Sequence, residues 1–289
     1  AKGLCRWHDL DLQLQGWRWS YRKTTVRLKK YTSFYVIERA RCKLKKTGFL
    51  LIRNGSRSQP RTIKIGDDFV EEASEHKVLG ITIDNQLKWD GHVYNRVLPA
   101  VNQRIGILKR LSFHIPRSHL SQIANAIIWS KVRYGLCIYG CARTKEEDIL
   151  TSQQKDLQIA LNKAMRAVAG KRLSDRISIK DLCSSTGMMS VNQMVAVDKM
   201  TLTWKSMQDE SSQLNGFFNA QPGTEERISR ARVRGDIRTS AKTTIGQRNL
   251  PHSAVVLWNK CADARIKSSQ VASKIPKAYI RKFAESLPI

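Results

Sequence analysis

No uninterrupted apolar run in this 289-residue chain approaches the ~20 residues that a bilayer-spanning helix needs, and its N-terminus carries no apolar signal core. Those absences place the expected protein inside the cell, in the nucleus or the cytoplasm, without a membrane partner. Acidic residues are scarce: 24 Asp+Glu stand against 51 Lys+Arg, a formal net charge of +27. Solubility requires far less, so a polyanion is the expected partner. Charge alone would also suit a basic ribosomal or histone-like accessory protein. Metal-ligand spacing is missing too. Cys5, Cys42, Cys137, Cys141, Cys183 and Cys261 are scattered, and the only close pair, Cys137 and Cys141, lacks the second pair of Cys or His ligands that a zinc site uses. On a helix those two would share a face, an arrangement expected of free cysteines in core packing. The six His residues form no ligand spacing, and neither a Gly-x-Ser-x-Gly nor a phosphate-loop pattern occurs. No metal or cofactor is expected in this chain.

What is present divides the sequence into parts. A hydrophobic content of 41% argues against global disorder, and the length suffices for one sizeable core or two domains. Residues 1–43 form a basic lead containing Trp7, Trp17 and Trp19; residues 1–64 together hold 17 Lys+Arg against 3 Asp+Glu. Tryptophans interleaved with cations suit base stacking and phosphate binding, and they equally suit the outer edge of a larger sheet. Residues 44–91 read as short antiparallel strands: Lys46–Ile52, then Ile63–Ile65 turning at Gly66-Asp67-Asp68 into Phe69-Val70, then a last strand from Val78 to Ile83 ending in the turn Asp84-Asn85. Residues 92–208 read as helical. Val93, Val97, Val101, Ile105, Leu108 and Leu111 recur at steps of three and four, and Pro99 predicts a kink or a restart. Arg104 falls inside that stripe as a snorkelling stem or a phosphate contact. Pro116 opens a helix with Leu120, Ile123, Ala124, Ile127 and Ile128. Another stripe, Leu157, Leu161, Ala164 and Val168, ends at Gly170. Ser178 and Ser190 are expected N-caps. Residues 209–250, rich in Gly and Arg, read as a basic linker, and 251–289 as a C-terminal helical segment. The fold class expected is α+β.

The strand before Asp84, the turn Trp89-Asp90-Gly91-His92 and the basic helix after it resemble the end of the palm and the start of the thumb in reverse transcriptases of non-LTR retrotransposons. Lys46-Thr47-Gly48-Phe49-Leu50-Leu51-Ile52 and Thr62–Asp67 are similar to the preceding strand and hairpin of that family, and Ser130–Gly135, Leu157–Val168 and Ala254–Asn259 to its thumb and post-thumb segments. The resemblance covers roughly residues 43–289 and rests on many weak patterns in the right order. It implies a small antiparallel sheet at the end of a polymerase palm, followed by a helical thumb and a C-terminal extension. Implied partners are RNA, DNA or an RNA–DNA duplex, and implied phosphate contacts are Lys46, Lys77, Arg104, Lys109, Arg110, Arg117, Lys131 and Arg133, with Leu79 and Gly80 at the primer-gripping strand. Since the first residue is Ala1 rather than Met, a fragment of a longer polymerase is the expectation; a decayed or domesticated copy acting as a non-catalytic nucleic-acid-binding or scaffold protein is the alternative.

The complete family enzyme would use Mg²⁺ held by an Asp in one palm strand and an aromatic-Ala-Asp-Asp hairpin in the next. Neither motif occurs. Asp67-Asp68 follows Ile65-Gly66 as turn chemistry, and Asp9 and Asp11, though alternate residues share a strand face, lack adjacency and the aromatic-Ala lead. No catalytic residue and no metal ligand is therefore expected, and His92 is expected to cap the turn at the surface.

Overall fold

The computed structural model describes residues 48–52, 61–65, 68–140, 151–218, 243, 246–247, 249–261 and 277–287. The basic lead, Lys46, Asp9 and Asp11, Cys141 and most of the span read as a linker therefore lie outside the described residues. Contacts divide the chain between Gln86 and Leu87 into two units. Secondary structure is mixed: two small antiparallel sheets precede a mostly helical remainder, as the α+β class requires.

In the first unit, β1 (Thr62–Ile65) pairs with β2 (Asp68–Glu71) as the sequence suggests, with Ile65 opposite Asp68. Arg61 and Glu72 extend the pairing: Glu72 N–H donates to the Arg61 carbonyl at 2.7 Å, and Arg61 N–H donates to Glu72 Oε2 at 3.2 Å. Two expectations need correction. The strand expected over Lys46–Ile52 is reduced, among the described residues, to a single bridge between Phe49 and Glu72. The single strand expected over Val78–Ile83 is instead a second hairpin, β3 (Glu75–Val78) against β4 (Ile81–Asp84), with Val78 opposite Ile81. Leu79 and Gly80 turn the chain at φ 48° and 84°. Positive φ at both central residues is the geometry whose twist matches flanking strands. Because Leu stands where Asn is the usual signal, the apolar run hides the turn. The hairpins form two separate two-stranded sheets.

The helical unit begins with α1, a continuous helix running through Asp90–His92, a π-helical turn at Val93–Val97 and Leu98–Leu111. Val93, Val97, Val101, Ile105 and Leu108 are buried, as their spacing predicts. Pro99 neither ends nor restarts this helix. Its ring would press on the carbonyl four residues back, at Asn95, and it has no N–H to offer. Asn95 lies inside the π turn, where Leu98 N–H reaches five residues back to the Val93 carbonyl. Helix α2 also contains a π turn, without an internal proline: Pro116 precedes Arg117–Ala124, the π turn spans Asn125–Trp129, and Ser130–Arg133 follows. After α3 (Leu136–Tyr139), α4 (Ser152–Ala169) opens in a reciprocal capping box between Thr151 and Gln154 and closes at Gly170, φ 64°. The N-caps read from sequence at Ser178 and Ser190 open α5 (Ile179–Thr186) and α6 (Val191–Gln208).

Helix α6 is contacted by α3, α4, α7 (Asn215–Phe218), α8 (Leu250–Lys260) and α9 (Lys277–Ser286). With so many neighbours it buries Val191, Met194, Val195, Ala196, Met200 and Trp204 and presents no single apolar stripe. Its C-terminal half joins Phe218, Ala254, Val255, Trp258, Cys261 and Ile280 in one cluster. The C-terminal helical segment read from sequence thus contains α8 and α9, and both dock on α6. The first residues of the span read as a linker are packed as well: Phe218 is buried, and Asn215 Nδ2 donates to the Ser206 carbonyl at 3.0 Å. A hydrophobic side chain with a core to enter overrides a polar neighbourhood.

Candidate nucleic-acid interface

The residues singled out from sequence fall into separate groups. Lys77 is exposed on β3, opposite Thr82, and Leu79 stands 86% exposed at the β3–β4 turn with Gly80. Those three belong to the first unit. Lys46 lies outside the described residues, and all the other candidates belong to the helical unit.

Lys109 and Arg110 occupy the last turn of α1, where the carbonyl end of the helix favours cations. Both are exposed, and neither has an acidic partner among the described residues; Arg110 Nε donates to the Gly106 carbonyl at 3.4 Å. Arg104 is engaged inside the fold. Its Nη1 donates to the Ile127 carbonyl in the π turn of α2, so the guanidinium ties α1 to α2. Arg133 donates through Nε and Nη2 to the Asp198 carboxylate of α6. With side-chain exposures of 41% and 19% this pair contributes at most about 1 kcal/mol, yet any phosphate at Arg133 must compete with Asp198. Lys131, one turn beyond Ile127, is half-buried.

His92 corrects the sequence reading of a surface cap. It is buried at 2% exposure, with its ring edge-on to Tyr139 at 5.0 Å between centroids. Burial first, then the positive charges of Lys131 and Arg96, pull its pKa down from 6.5 to about 4. Tyr139 Oη donates to the Val132 carbonyl, and burial pushes its pKa upward, with Asp198 and Cys137 adding to the shift. The neutral imidazole is thus a packing element between α1 and α3, held beside two cations without sharing their charge.

Arg117, exposed in the first turn of α2, lies against the end of α4: a Cβ on Gly170 would stand 2.2 Å from Arg117 Nη2. Gly170 therefore serves both the left-handed cap and the close approach of the Arg117 guanidinium. The loop that follows carries three cations that sequence reading passed over, Lys171, Arg172 and Arg176, all exposed. Arg166 of α4 fixes its backbone, with Nη1 donating to the carbonyls of Arg172 at 2.7 Å and Asp175 at 2.9 Å. The signal was present in the charge run after Gly170, but a helix cap was explanation enough for the segment.

Among the described residues no group of three or more His, Cys, Asp or Glu could hold a metal ion. Asp68 is the first residue of β2, paired with Ile65, while Asp9, Asp11 and Asp67 lie outside the described residues. A two-Mg²⁺ polymerase site needs clustered carboxylates, and the described residues alone hold no such cluster. No described helix is long and apolar enough to cross a membrane. No protein-family model, curated protein or solved structure matches the chain.

Proposed function

We propose that this chain binds the backbone of RNA, DNA or an RNA–DNA duplex, as the palm end, thumb and post-thumb portion of a non-LTR retrotransposon reverse transcriptase, and that it does not polymerise by itself. The observation that carries the reading is the unneutralised charge: a net +27, with Lys109 and Arg110 exposed and unpaired by acids among the described residues at the end of α1. Each cation that meets a phosphate releases condensed counterion, so binding is salt-steep and insensitive to base sequence. The order of motifs from Lys46 to Asn259 supports the polymerase family, and the missing aromatic-Ala-Asp-Asp hairpin supports the lack of catalysis.

Two measurements on residues 1–289 test this. Given a primed RNA template, nucleotides and Mg²⁺, the protein extends no primer; extension abolished by Asp9→Asn and Asp11→Asn would install a catalytic site in the lead instead. Titrated with an RNA–DNA duplex, it binds with a linear log–log salt dependence, and Lys109→Ala with Arg110→Ala lowers the slope by about one to two units. A wild-type affinity independent of salt would remove the polyanion reading.

A further inference from the structure

We propose that the loop after α4, carrying Lys171, Arg172 and Arg176, is a second grip for a nucleic-acid phosphate backbone; this rests on the nucleic-acid reading above and adds a surface to it. Residues 163–180 hold six Lys and Arg against one Asp. That one acid is occupied, because Asp175 Oδ2 accepts the Arg172 N–H at 2.8 Å. Lys171, Arg172 and Arg176 are exposed and have no acidic partner among the described residues. Crowded like charges destabilise a fold unless an anion lies over them.

A plainer role for such cations is to offset the partial negative charge at the end of α4. Arg117, with its guanidinium beside Gly170, and Arg166, in the last turn of α4, already supply positive charge there. The loop backbone is fixed further by Lys171 N–H on the Arg166 carbonyl at 2.9 Å and Ile177 N–H on the Asp175 carbonyl at 3.0 Å. A rigid backbone with three exposed cationic heads binds at little ordering cost. Since all three heads face solvent, they suit a row of phosphates better than one enclosed small anion. Leu173, 79% exposed among them, adds an apolar contact for sugar or base faces. A basic loop with one apolar tip also has the character of a membrane-surface contact, but a single Leu buries far too little area for stable anchoring.

The test uses the full chain and three probes: a labelled RNA–DNA duplex of about 20 base pairs, single-stranded RNA, and phosphatidylserine-containing vesicles. In the triple variant Lys171→Gln, Arg172→Gln, Arg176→Gln, the duplex salt slope falls by about two to three units and the dissociation constant near physiological salt rises about tenfold or more, while thermal unfolding is no less cooperative and its midpoint no lower. An unchanged slope in this variant, with Lys109→Ala and Arg110→Ala still lowering it, overturns the second grip and leaves the first. Wild-type protein that binds neither nucleic acid defeats the underlying reading itself. Loss of vesicle binding alone, with duplex binding intact, reassigns the loop to a lipid surface and overturns the proposal.

Discussion

At the scale of single residues, His92 sets a pH limit on the fold. Its folded pKa, about 4, lies below the ordinary 6.5, so the stability tied to its neutral form is fully present above pH 6.5. As pH falls from there towards 4, the unfolded chain takes up a proton that folded His92 refuses, and stability declines by on the order of 3 kcal/mol. Denaturation in urea from pH 7.5 downwards shows this decline in the wild type and a flatter profile in His92→Gln; identical slopes in both would mean that His92 is solvated in the folded state. Gly106 offers a gain instead. It lies within α1 with nothing within 4 Å of the position a Cβ would take. Gly106→Ala should therefore stabilise by about 0.5–1 kcal/mol, because helical glycine loses more backbone freedom on folding, and the urea midpoint reads it directly.

At the scale of elements, periodicity, capping and the first hairpin were legible, and the β3–β4 turn was not. The stripes of α1 and α4, the caps at Ser178, Ser190 and Gly170, and the pairing of Ile63–Ile65 with Phe69-Val70 could be read because each rests on near-neighbour chemistry in the sequence. The β3–β4 hairpin could not, since Glu75–Val78 has a charged composition and Leu79-Gly80 lacks a turn signature. Leu79 at φ 48° carries the cost of a left-handed backbone on a residue poorly suited to it. Leu79→Asn should stabilise the hairpin by about 1 kcal/mol, seen as slower amide exchange at Val78 and Ile81; faster exchange there would show that the Leu79 side chain supports the turn. The candidate interface was legible only as charge. That Arg104 is bound to the Ile127 carbonyl and Arg133 to Asp198 depends on which helices meet, and no spacing along the chain carries that information.

At the scale of the molecule, the helical unit is organised around α6. Its N-terminal half meets α3 and α4, and its C-terminal half packs with Trp258 of α8 and Ile280 of α9. Trp258→Ala should cost about 3–5 kcal/mol, as for other fully buried aromatics, and should lower exchange protection along the whole of α6, including residues beside α3; loss confined to α8 would show that the two halves are separately stable. The same arrangement has a consequence during synthesis. The 78 residues that follow Gln208, up to Ser286, take roughly 4–16 s to translate at about 5–20 residues per second. Throughout that interval Met200 and Trp204 have been synthesised while α9, whose Ile280 completes their cluster, has not. The apolar face of α6 therefore waits seconds for its last cover, and whatever part of that wait falls outside the ribosome is the stage at which a chaperone would find surface to hold.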